Sequence, residues 1–111
     1  MEVYFSVKKM QKACSSEQAM RAEWGDRLAG KLKRRLAELN AAECLADIPH
    51  VPPARCHELD GDRKGQLSVD LVHPYRLIFV PDHHPPPRKE DGGLDRKQVT
   101  RVLVLEVADT H

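Results

Sequence analysis

The chain has few cysteines, no long apolar run and almost no net charge. Its three cysteines, Cys14, Cys44 and Cys56, do not pair evenly and show no CxxC spacing. That excludes a disulfide framework and fits a reduced, cytoplasmic compartment. No window reaches the length of a membrane-spanning helix, and residues 1–7 lack the sustained apolar stretch of a secretion signal, so neither a membrane partner nor export is expected. There is no internal repeat. A formal net charge of +1 does not by its total mark a nucleic-acid binder. Metal-ligand spacing is also missing. His83-His84, with His73 and Cys56, matches no zinc pattern, and neighbouring histidines on an extended chain point to opposite sides. Glu90-Asp91-Gly92-Gly93 lacks the alternating ligands of a calcium loop. No metal and no cofactor are expected.

What is present is a highly charged surface on a small core. The 111 residues support one domain, 1–111, with a hydrophobic fraction of 41% and a charged fraction of 32%. Val3, Phe5 and Val7 alternate with polar neighbours, which predicts a strand. Ser15 and Gln18 stand at capping-box spacing, so a short helix is expected from about Ser16 to Trp24, ended by Gly25. Asp26 then caps a longer helix, whose Leu28, Leu32, Leu36 and Leu39 share one face. The basic run Arg27, Lys31, Lys33, Arg34, Arg35 reads as a solvated helix face, or as an electrostatic footprint for RNA or an acidic partner. Pro49, Pro52 and Pro53 stop helix. Beyond them the period changes to two. Arg55 to Leu59, Leu67 to Leu71, Tyr75 to Val80 and Val99 to Val107 read as strands, the last one central. Residues 81–98, rich in proline and glycine, read as a long loop. The fold class is therefore α+β, with two N-terminal helices on a curved, mostly antiparallel sheet.

The chemistry-bearing residues cluster in this second half. His57 precedes the glycine-flanked turn that carries Arg63 and Lys64, Arg76 lies in an otherwise apolar strand, and the chain ends Asp109-Thr110-His111. Two imidazoles can give and take protons near neutrality, and an arginine fork suits a phosphate. Together they fit metal-free cleavage of a phosphodiester by an adjacent ribose hydroxyl. Each has a plainer reading: a strand-end histidine, a solvated turn, a surface arginine paired with Asp70 or Glu106, a terminal residue.

Arg35-Leu36-Ala37-Glu38-Leu39, the His57-to-Gly65 turn, Tyr75-Arg76-Leu77-Ile78-Phe79 and Asp109-Thr110-His111 together resemble the HigB branch of the RelE/ParE toxin superfamily, over nearly the whole chain. The resemblance implies an RNA-cutting toxin that acts on messenger RNA at the ribosome. It implies a HigA-like helix-turn-helix antitoxin as partner, with operator DNA reached only through that complex. It places functional roles on His57, Arg63, Arg76, Asp109 and His111. Two departures stand out: Asp60 where the family often has lysine, and Thr110 where it has tyrosine. They bear on catalytic power more than on fold. A gyrase-poisoning toxin, or a weakened toxin that serves only in a repressor complex, are the alternatives.

Overall fold

The structure, a computed structural model, describes residues 1–110; His111 lies outside the described residues. Strand β1 (Glu2–Phe5) leads into three helices, α1 (Lys8–Ala13), α2 (Glu17–Trp24) and α3 (Asp26–Ala41). Strands β2 (His57–Glu58), β3 (Leu67–Asp70), β4 (Tyr75–Pro81) and β5 (Arg101–Asp109) follow. The α+β expectation holds, with one more helix than the sequence indicated. Six-residue α1 has a single buried residue, Met10, too little periodicity to read. It also ends the first strand early, because Val7 serves as its N-cap.

The helix boundaries follow local chemistry, with one-residue shifts. The cap of α2 is Ser16, whose hydroxyl accepts from the Ala19 amide at 3.0 Å. Gly25, at φ +82°, is both the last cap of α2 and the first cap of α3. That conformation is one glycine adopts without strain, and it lets two helices meet with no linker. Asp26 lies in the first turn of α3, where its charge favours the helix dipole.

The sheet order is β1-β5-β4-β3-β2, with β1 parallel to β5 and every other pair antiparallel. The apolar strand β5 lies inside the sheet, between β1 and β4. Its register against β4 shifts between Ile78 and Phe79, from Ile78↔Glu106 to Phe79↔Val104. Such a bulge bends and twists the pair. One face of the sheet is covered. Leu32 and Leu39 of α3 belong to the same buried cluster as Leu67, Val69, Leu77, Phe79, Val102 and Val104. Burial of this order is the main favourable term in folding, roughly 1.5–3 kcal/mol for each large side chain. Residues 82–98 are anchored by Leu94 in the core, a short Arg88↔Leu94 bridge, and a bond from Arg96 to the Cys56 carbonyl.

Candidate functional site

The second face of the sheet carries no helix, and its rows can be read off the registers. His57 pairs with Ser68, Ser68 with Ile78, and Ile78 with Glu106. Side chains directly opposite one another share a face, so these four form one row across four strands. The next row on that face is Asp70, Arg76 and Ala108. His57 and Arg76 are thus two strands and one row apart, about 12 Å between backbones.

His57 is half-buried, and its Nδ1 lies 3.0 Å from the Arg55 carbonyl oxygen. A carbonyl only accepts, so Nδ1 carries the hydrogen and Nε2 of the neutral ring is left with its lone pair. Arg55 itself stands at φ 49°, a left-handed conformation that costs a non-glycine residue about 1–2 kcal/mol. Two contacts hold it there. Its Nε and Nη2 donate to Asp70 Oδ2 and Oδ1 at 2.8 and 3.3 Å. The first of these bonds is the main reason its pKa lies above the ordinary arginine value.

Arg76 is on the open face, as its place between apolar neighbours required, with only 14% of its side chain exposed. Its Nε lies 3.5 Å from Asp70 Oδ1, and its Nη1 donates to Thr110 Oγ1 at 3.0 Å. Asp70 therefore sits between two guanidiniums. Of the two partners that sequence offered for Arg76, Asp70 is the one it meets. Glu106 goes instead to Arg63, at 3.3 Å. Arg63 lies in a 3-10 turn, Gly61–Arg63, and also donates to Gln66 Oε1 at 2.9 Å. Its side chain thus ties that turn to β5, at the row in which Ser68 and Ile78 are fully buried.

The remaining expected residues are dispersed. Lys64 is exposed and makes no ion pair among the described residues. Asp109 pairs with Tyr75 in register. By alternation it leaves the strand on the side of Val107, which packs against the core, while Arg76 and Ala108 lie on the other side. His111 lies outside the described residues.

No family model matches this chain, and no curated protein does either. Among solved structures it is similar to the YoeB/ParE toxin from Agrobacterium tumefaciens. The two share 11% identity, the match covers 100% of each chain, and the TM-score is 0.57. The fold is of the RelE/ParE toxin type. At that identity the likeness is one of architecture, and it leaves the chemistry of this toxin-type fold to its own side chains.

Sequence reasoning missed two of those side chains, Arg35 and Arg55. Arg35 was read as part of a solvated run, yet it is 3% exposed. Its Nε donates to the Asp70 carbonyl at 2.7 Å, its Nη2 to the Pro53 carbonyl at 3.1 Å, and its Nη1 to Glu38 at 3.1 Å. A signal was present. Leu28, Leu32, Arg35 and Leu39 follow steps of four, three and four, so Arg35 occupies the buried stripe of α3. Arg55, by contrast, gave no local sign, because its pairing with Asp70 spans a loop and a strand.

Proposed function

We propose that this chain is the toxin of a toxin–antitoxin pair and that it cuts messenger RNA on the ribosome, without a metal. The observation that carries the reading is His57, a histidine with its Nδ1 hydrogen committed to a backbone carbonyl and its Nε2 free to take a proton, on the uncovered sheet face that also presents Arg76. In this mechanism His57 Nε2 removes the proton of a ribose 2'-hydroxyl. The 2'-oxygen attacks the adjacent phosphorus and the bond to the 5'-oxygen breaks, leaving a 2',3'-cyclic phosphate and a 5'-hydroxyl. Arg76 stabilises the charge of the phosphorane, an effect worth about 10²-fold or more in rate for one well-placed donor. Arg63 and Lys64 position the strand, and His111, with Asp109 near it in sequence, supplies the proton for the leaving oxygen. A HigA-like antitoxin neutralises the toxin and carries it to operator DNA.

One observation favours a second reading. Arg76 and Arg63 are each paired with a carboxylate, Asp70 and Glu106. A face that neutralises its own cations suits a weakened toxin that binds antitoxin and serves in a repressor complex. Induction in growing bacteria, with mapping of new 5' ends on messenger RNA, separates the readings. Cuts in register with codons are expected. DNA damage without cuts would point to gyrase poisoning, and unimpaired growth to the repressor role.

A further inference from the structure

The open face does not end at Arg76. Where β3 and β4 meet, it turns over the end of the sheet into a cleft of about 340 Å³. One wall is α3, through Lys31 and the buried Arg35, and another is Arg55. The third is the β3–β4 hairpin, through Asp70, Tyr75 and Arg76. Among the described residues, four cations, His73 and one carboxylate line this space, in a chain whose whole net charge is +1. The one carboxylate already faces two guanidiniums. Lys31 is exposed and makes no ion pair among the described residues. Tyr75 is 45% exposed, and its hydroxyl makes no hydrogen bond among the described residues.

We propose that this cleft is the subsite for the nucleotide next to the cut, with Lys31 on its phosphate and Tyr75 against its base. The proposal rests on the ribonuclease reading above. A single-stranded nucleic acid needs a cationic track for its backbone and a π-face for its bases, and sequence-tolerant sites combine the two. The cleft offers both. It is also continuous with the candidate reaction centre, because Arg55, Asp70 and Arg76 form part of each. A strand whose scissile phosphate lies at Arg76 has only to pass over the sheet's end to place its neighbouring phosphate at α3. Tyr75 stands in register with Asp109, on the same side of the sheet as Leu77 and Val107, where α3 approaches the cleft.

The test is equilibrium binding of a fluorescent, fully 2'-O-methylated oligoribonucleotide, followed by anisotropy over a series of salt concentrations, alongside message cleavage in induced cells. Lys31→Ala should lower the slope of log affinity against log salt by about 0.7, the value for one phosphate contact on a single strand. Tyr75→Ala should weaken binding on the order of 10-fold, and Tyr75→Phe should restore it, since stacking needs the ring and not the hydroxyl. A wild type that binds, with Lys31→Ala and Tyr75→Ala binding equally well at an unchanged salt slope, overturns the subsite and leaves the ribonuclease reading intact. Tyr75→Phe binding as weakly as Tyr75→Ala overturns the stacking role. Cleavage in cells by a wild type that does not bind the oligonucleotide also overturns the subsite. A wild type that neither binds nor cuts removes the ribonuclease reading and the subsite together.

Discussion

Phe79 and Arg76 leave the same strand three residues apart, and they leave it on opposite sides. Phe79 is fully buried among Leu32, Leu39 and Val104 under the helices. Arg76 lies on the side without helices, between Asp70 and Thr110. On the covered side the buried positions are apolar, contacts are non-directional, and many similar side chains would serve. On the uncovered side the contacts are hydrogen-bonded ion pairs between residues from five separate segments. Arg63 braces Glu106, Asp70 braces Arg55 and Arg76, and a backbone carbonyl orients His57. One face holds the fold together, and the other holds charged groups in fixed places at little cost to it.

Substitutions can break or sharpen that contrast. The largest effect is expected on the covered face. Phe79→Ala should cost about 3–5 kcal/mol of stability, because it removes a buried ring and leaves a cavity. Urea unfolding measures it, and a loss below 1 kcal/mol would mean the two faces are not energetically distinct. On the other face, Arg76→Ala should lower message cleavage by about 10²-fold or more while unfolding changes little, since the carboxylate it leaves keeps Arg55 as partner. Loss of folding in place of activity would make the arginine a structural brace.

A third prediction concerns pH. Burial pushes the Cys56 thiol up to about 11, above the ordinary value of a thiol. The unfolded chain thus releases this proton at lower pH than the folded chain. Stability from this group is whole below about pH 9 and falls as pH rises toward 11, by an amount on the order of 2 kcal/mol. Unfolding midpoints at pH 8 and pH 10.5 should differ in that direction, and Cys56→Ala should reduce the difference. The smallest effect tests the seam between the faces. Ser68 is fully buried on the open-face row, and its hydroxyl has no hydrogen-bond partner among the described residues. Ser68→Ala should therefore be neutral or stabilise by about 1 kcal/mol, because it deletes an unsatisfied polar group. A loss of 2 kcal/mol or more on unfolding would show that the hydroxyl is satisfied in solution.

The order of elements was legible because it depends on near neighbours. Steps of three and four residues located α3, alternation located β3, strand-favouring composition located β4, and prolines 49, 52 and 53 marked the change of period. The same local rules placed Arg76 on a polar face. They stopped short at α1, which is too brief to show a period, and at Arg35, whose basic neighbours masked its place in the leucine stripe. What only the tertiary structure decided was which charge meets which. Asp70 faces Arg55 fifteen positions away in sequence, Arg63 meets Glu106 at a separation of 43, and Arg35 caps the carbonyls of Pro53 and Asp70. Burial of apolar side chains is non-directional and sums along the chain, so its pattern survives in one dimension. A hydrogen-bonded ion pair needs two particular atoms at about 3 Å, a relation that exists only once strand register and helix packing have been set.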